Sequence, residues 1–159
     1  MHRFRQFYID NGDKLFGYLL RKSGNSHLAA DLVQETFTRY LERYRNREQS
    51  PALLFTIGRN LFYDQMRFNK RFVPQEEISQ ESVPGQEENY IAQEESNKIL
   101  AAMEKLGDDE RDILALVVSS ELSYQEIADI RQCSLANIKV KVHRARQKLK
   151  IILQEKNHG

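Results

Sequence analysis

Two helix starts lie close together near the carboxyl end of the chain, and they limit what this end can fold into. Ser123 and Glu126 form the pattern of a capping box, in which each side chain satisfies a free backbone amide of the first turn. Ser134 is a second candidate cap only a few residues later. Only a short helix and a tight turn fit between them. The spacing therefore predicts a helix-turn-helix whose second helix runs from about Leu135 to about Leu153.

The second of these helices has one apolar face and a strongly basic remainder. Its apolar residues recur at helical spacing, and residues 137–150 hold six bases and no acids. Asn, Lys and Arg near the start of such a helix reach base edges in a major groove, and bases further along reach phosphates. A solvated basic face or a partner-binding helix would show the same charges. The capping box and the short preceding helix favour DNA.

The first 72 residues predict three helices and no alternating strand pattern. One helix is expected from about Asp13 to Lys22, preceded by a turn of helix near residues 4–9. Ser26 is the predicted cap of a second helix, which ends near Tyr44. Ser50, followed by proline at the first helical position, predicts a third helix that continues to about residue 68. The fold class is therefore all-α.

An acidic segment divides the chain into two basic units. Residues 1–72 hold 13 Lys and Arg against 7 Asp and Glu, whereas residues 73–95 hold none against 7. Prolines, a glycine and many Gln, Glu and Ser predict a flexible linker over residues 73–90. A second helical domain is expected over residues 91–156. In it, one helix stops at Gly107 and Asp108 caps the next.

Several classes of protein are disfavoured by composition. The single cysteine, Cys133, excludes an intrachain disulfide and suits a reducing cytoplasm. The four histidines have no metal-ligand spacing, and no apolar run approaches the ~20 residues that span a bilayer. The start of the chain does not read as a signal peptide. No nucleophile and base, metal set or phosphate loop indicates an enzyme or a cofactor site. We expect a cytoplasmic protein without membrane insertion, cofactor or catalytic residues.

Two stretches resemble one protein family in the same order. Residues 122–128 (LSYQEIA) and 138–149 (IKVKVHRARQKL) resemble region 4 of the extracytoplasmic-function sigma factors of the sigma-70 family. Residues 31–37 (DLVQETF) and 54–64 (LFTIGRNLFYD) resemble the parts of region 2 that dock on RNA polymerase and open promoter DNA. The resemblance implies a sigma factor with region 2 over residues 1–72 and region 4 over residues 91–156.

The resemblance also implies roles for individual residues. Polymerase docking would fall on Asp31, Gln34 and Glu35, and the solvated face of an amphipathic helix is the alternative for these three. Reading and melting of the −10 element would involve Asn60, Phe55, Arg59, Tyr63 and Arg67, with the loop of residues 45–50 giving specificity. Aromatic and basic side chains together also suit single-stranded DNA. For Asn60, a buried or capping amide is the alternative. Contacts to the −35 element would come from Asn137, Lys139, Val140, Lys141, His143, Arg144 and Arg146.

The implied partners are core RNA polymerase, promoter DNA and an anti-sigma factor. Three positions depart from the family pattern. Leu53 stands where many members have tryptophan, and Ala136 and Val140 stand where many have glycine and serine. Because Val140 cannot donate a side-chain hydrogen bond, the −35 sequence read is expected to differ from the common one. Two alternatives remain open at this point: a stand-alone helix-turn-helix regulator, and a small helical enzyme with a basic tail.

Overall fold

A computed structural model of the chain describes residues 2–72 and 90–157. These residues form seven α-helices and no strand, which confirms the predicted all-α fold class. The helices are α1 (His2–Ser23), α2 (Ser26–Tyr44), α3 (Pro51–Phe72), α4 (Tyr90–Glu104), α5 (Asp108–Ser119), α6 (Tyr124–Arg131) and α7 (Leu135–Asn157). The predicted linker of residues 73–90 lies, apart from Tyr90, outside the described residues.

The first unit is built from α1, α2 and α3. The prediction of a separate helical turn before residue 13 was wrong, because α1 is one continuous helix. Phe7, Asn11, Leu15 and Tyr18 are buried at three- and four-residue spacing, so a single stripe holds the whole helix against its neighbours. The Asn11 side chain donates to the Phe7 carbonyl, which satisfies a polar group within that stripe.

Side chains of α1 and α2 pack closely against Gly58 of α3. A Cβ atom there would lie 3.0 Å from Leu15 Cδ1 and 3.4 Å from Thr36 Oγ1, so a larger residue would have to push these side chains away by a few tenths of an ångström. The helix starts follow cap chemistry. The Ser50 hydroxyl accepts from the Leu53 amide as predicted. The cap of α2 is Asn25 rather than Ser26, and its side chain accepts from the Leu28 amide.

The second unit contains the predicted helix-turn-helix. The capping box at the start of α6 is complete, since Ser123 Oγ accepts from the Glu126 amide and Glu126 Oε1 accepts from the Ser123 amide. The turn passes through Gln132 with φ of 57° and ends at Ser134, whose hydroxyl accepts from the Asn137 amide. The prediction that Asp108 caps α5 was wrong. Gly107 is the N-cap and makes no side-chain cap bond.

The two units pack directly on each other, which the sequence did not predict. Helix α1 lies against α5, and α3 lies against α6. Buried apolar residues from both units form one continuous cluster, which extends from Phe7 to Ala145. The close packing of α1 on α5 brings polar side chains of the two units within hydrogen-bond distance. None of the described helices is long and apolar enough to cross a membrane.

Candidate nucleic-acid interface

The outer face of α7 carries the residues that the sequence assigned to the −35 element. The buried side of α7, through Ile138, Val142 and Ala145, packs against the rest of the unit, together with Ile127 and Ala128 of α6. This packing fixes the angle between α6 and α7 and leaves the remaining faces of α7 exposed. Exposed on those faces are Asn137, Lys139, Val140, His143, Arg144 and Arg146.

Lys141 differs from its neighbours on α7 because an acid of the same unit holds it. Its ammonium lies 3.0 Å from Asp109 Oδ2, and its side chain is about one third exposed. Further along α7, Lys148 pairs with Glu110. Two cations of the basic helix therefore already face carboxylates at the start of α5. The exposed bases near the start of α7 remain turned toward solvent.

Helix α3 places only some of its five predicted −10 residues at the surface. Asn60 and Arg67 are exposed, and Arg67 pairs with Asp64 one turn away. Asn60 also lines a cavity of about 170 Å³ between α2 and α3, together with Arg43, Tyr44 and Leu53. An amide at the mouth of a cavity with an aromatic wall can hydrogen-bond the edge of an unstacked base.

The other three predicted −10 residues are buried or half-buried. Phe55 is fully buried and packs on Tyr18 with ring centroids 5.8 Å apart, so in this arrangement it is a core residue that no base can reach. Arg59 and Tyr63 are half-buried at the contact with α5. The guanidinium of Arg59 lies 5.0 Å from the Tyr63 ring centroid, a cation–π distance.

A buried ionic cluster joins the two units, and the sequence analysis missed it. We define the Asp112 cluster as Tyr18, Lys22, Arg59, Asp112 and Arg131. The carboxylate of Asp112 accepts from the Tyr18 hydroxyl at 2.6 Å and from Arg59 Nε at 3.0 Å. The Lys22 ammonium lies 3.3 Å away and Arg131 Nη1 lies 2.5 Å away. Four side chains from three other helices therefore converge on one carboxylate.

The pKa values in this cluster follow from burial opposed by charge. Burial alone would raise the pKa of Asp112, but Lys22 and Arg59 bring it below its ordinary value, so the carboxylate is ionised at neutral pH. Burial lowers the pKa of Lys22, which Asp112 partly offsets. One signal in the sequence could have revealed the cluster. Asp112 has helical spacing with Ala115, Leu116 and Ser119, so it occupies the buried face of α5.

The predicted polymerase-docking residues lie together on an open face of α2. Asp31, Gln34 and Glu35 are all exposed, while Leu32, Val33 and Thr36 on the same helix are buried. Glu35 pairs with Arg39 one turn later at 3.1 Å, an exposed ion pair of small energetic weight. None of these three residues belongs to the Asp112 cluster, and all three lie on the side of α2 away from its buried residues.

Comparisons with known proteins identify the same two regions. A family model for Sigma-70 region 2 matches residues 7–72, and one for Sigma-70 region 4 matches residues 96–149. The chain is 37% identical to the ECF RNA polymerase sigma factor EcfG of Rhodopseudomonas palustris, over 87% of this chain and 78% of that one. It is 34% identical to the ECF RNA polymerase sigma factor SigM of Bacillus subtilis, over 92% of this chain and 91% of that one.

One solved structure is similar over both units at once. It is the sigma factor RpoE of Bartonella quintana, in complex with the anti-sigma factor NepR. The TM-score is 0.79 at 29% sequence identity, and the match covers 97% of this chain and 98% of that one. Because the match covers both units with one superposition, their relative placement here resembles that in the Bartonella protein.

Proposed function

This chain belongs to the sigma-70 family as an extracytoplasmic-function sigma factor that directs transcription initiation, and from that premise we propose how its two units divide the work. The first unit, residues 1–72, docks on core RNA polymerase and opens the −10 region. The second, residues 91–156, grips the −35 element. Residues 73–90 are the linker between them. The alternative of a stand-alone regulator is not favoured, because both sigma regions are matched in the family order.

The observation that carries this division is the exposed polar face at the start of α7. A helix-turn-helix places the first turns of its second helix in the major groove, where Asn137, Lys139 and Arg144 are free to reach base edges. His143 and Arg146 lie on the same outward faces and suit phosphates. Lys141 would also contact DNA once its ion pair with Asp109 is broken. Val140 offers only an apolar contact, such as one with a thymine methyl group.

For the −10 element we propose that Asn60 holds an unstacked base at the cavity between α2 and α3. Arg59, Tyr63 and Arg67 lie on the same helix and would bind the single strand by charge and stacking. Phe55 supports this helix from the core. We propose that the loop of residues 45–50 gives −10 specificity; its residues 45–49 line a larger cavity of about 1050 Å³ together with Tyr40 and Tyr44.

Replacing Asn60 tests the −10 assignment. We expect Asn60→Ala to slow promoter melting about tenfold or more, because a lost pocket contact of ~1–3 kcal/mol no longer offsets the cost of unstacking a base. The measurement is permanganate reactivity of thymines in the opened region, with polymerase reconstituted from each protein. Gln65→Ala is the matched amide control on the same helix. Equal melting by the Asn60 variant and the parent would exclude the assignment, provided both bind core polymerase equally.

Polymerase docking is proposed for the open face of α2. We expect Glu35→Lys to weaken binding to core polymerase by at least tenfold, because a reversed charge at an interface adds repulsion to the lost attraction. Fluorescence anisotropy of labelled protein titrated with core enzyme measures this affinity. Asp10→Lys makes the same charge change on an exposed site of α1 and should bind normally. If the folded Glu35 variant bound as tightly as the parent, this surface would not be the docking face.

Three further assignments complete the proposal. We propose that the protein works in the cytoplasm, where its polymerase is, and that it has no catalytic activity of its own. An anti-sigma factor is its proposed regulatory partner. The support is the Bartonella sigma factor, which was solved with an anti-sigma factor bound and has a similar placement of the two units. We call the arrangement seen here, in which α1 packs on α5 and α3 packs on α6, the closed form. It is then the form that such a partner would stabilise.

A further inference from the structure

The start of α5 carries four acids that contact cations of four other helices. We call Asp108, Asp109, Glu110 and Asp112 the acidic turn. Within the second unit, Asp109 pairs with Arg131 and Lys141, and Glu110 pairs with Lys148. Across the unit boundary, Asp108 and Asp112 contact side chains of α1 and α3. One short acidic segment therefore neutralises bases in both proposed DNA-binding surfaces.

The contacts across the unit boundary are close, and some of them are buried. Asp112 Oδ2 lies 3.0 Å from Arg59 Nε, and Asp108 Oδ1 lies 3.2 Å from the ammonium of Lys22. The Tyr63 hydroxyl donates to Asp108 Oδ2 at 3.1 Å. The side chains of Lys22 and Asp112 are wholly buried, whereas Asp108 is 70% exposed. Outside this group, Lys14 pairs with Glu121 at 2.8 Å and also bridges the two units.

These carboxylates occupy donors that promoter DNA would use, since Asp112 accepts from Arg59 Nε and Asp108 accepts from the Tyr63 hydroxyl. Carboxylate and phosphate oxygens bind the same guanidinium donors at similar distances, so a phosphate would have to compete with Asp112 for Arg59 Nε. The Lys22 ammonium, which lies 3.2 Å from Asp108 Oδ1, is 4.4 Å from the Tyr63 ring centroid, where a base would otherwise stack. A single strand therefore gains Arg59 Nε and the Tyr63 hydroxyl only when Asp112 and Asp108 release them.

We propose that the acidic turn is a built-in competitor of promoter DNA, which keeps the free protein closed and masks part of the −10 surface. This inference rests on the proposed function of Arg59 and Tyr63 as −10 contacts. The closed and open forms are close in free energy, because the desolvation cost of burying an ion pair offsets much of its attraction. Binding of polymerase and DNA then shifts the population toward the open form, since the anionic strand replaces the acidic turn.

The sharpest variant is Asp108→Asn. The side chain is mostly exposed, so the change should leave folding intact while it weakens contacts to Lys22 and Tyr63 across the boundary. Glu121→Gln breaks the separate Lys14 bridge and touches no proposed DNA-contact residue. Asp129→Asn makes the same charge change at an exposed site whose carboxylate contacts only Gln125 of its own helix among the hydrogen bonds described, so it controls for net charge.

Two readouts are needed on the full chain. Small-angle X-ray scattering gives the radius of gyration, and fluorescence anisotropy with a labelled 12-nucleotide single strand gives the affinity. We expect Asp108→Asn combined with Glu121→Gln to increase the radius of gyration and to tighten single-strand binding about threefold or more, because a larger fraction of molecules is open. Glu121→Gln alone should shift both in the same direction, and Asp129→Asn should shift neither.

The outcomes separate this proposal from the function it rests on. If the combined variant does not expand, or expands and binds the strand no better than Asp129→Asn, the competitor role is overturned. In the second case, strand binding by Arg67→Ala and Asn60→Ala distinguishes a failure of the masking from a failure of the −10 assignment. If these two changes weaken strand binding, the −10 assignment stands and only the masking fails. If they leave binding unchanged, the −10 assignment itself is wrong.

Discussion

Removing two exposed side chains from the start of α7 should nearly abolish promoter-specific transcription. We expect the double variant Lys139→Ala, Arg144→Ala to lower the yield of specific transcript by roughly two orders of magnitude. Each good base contact contributes ~1–3 kcal/mol, and ~1.4 kcal/mol corresponds to a factor of ten. Neither side chain takes part in the core, so the loss would come from DNA contact and not from unfolding. Run-off transcription from the upstream region of its own gene measures the effect.

A matched control separates base contact from net charge. Lys98 and Lys105 are exposed bases in or just after α4, outside the helix-turn-helix. Their double replacement by alanine removes the same charge, and we expect it to reduce transcription less than threefold, since diffuse attraction alone is lost. If both double variants lost activity to the same extent, the second unit would attract DNA by charge without reading the −35 element.

Replacing Asp112 should cause the largest loss of stability among single polar changes. We expect Asp112→Ala to lower the free energy of unfolding by about 3–5 kcal/mol, because it leaves the buried ammonium of Lys22 and the guanidinium of Arg131 without their shared carboxylate. Urea denaturation followed by circular dichroism measures the change. Asp129→Ala is the exposed control and should stay within about 0.5 kcal/mol of the parent.

A small effect of the Asp112 replacement would contradict the structure's account of the boundary. A loss below about 1 kcal/mol would mean that the buried cations find other partners or solvent without cost. The two units would then not be held together by this cluster. The same result would also remove the ion pairs on which the proposed masking of α3 depends. The scattering experiment on Asp108→Asn combined with Glu121→Gln tests that masking independently.

Local signals predicted the second unit well because the chemistry that produces it is local. The capping box at Ser123 and Glu126, the cap at Ser134 and the apolar period of α7 each act within a few residues, and the structure has all three. The outward placement of the α7 bases follows from the same period. The cap of α2 was assigned to the wrong one of two adjacent candidates, since Asn25 rather than Ser26 is its N-cap.

The contact between the units could not be predicted from such local signals. Lys22 and Asp112 are 90 residues apart, and nothing near either one says that its charge is satisfied by the other. The same limit explains Asp108, which had the sequence of a helix cap. Its carboxylate instead contacts Lys22 and Tyr63 across the boundary. For Arg59 and Tyr63, the family resemblance implied contact with −10 DNA, and in this structure both donate to carboxylates of α5.

The most direct test of the central claim is run-off transcription with purified core RNA polymerase, with and without this protein, on the upstream region of its own gene. The account predicts a transcript with one defined start only when the protein is present, and little duplex binding by the protein alone. Absence of a specific transcript, together with tight binding of the duplex without polymerase, would contradict it and indicate a stand-alone regulator instead.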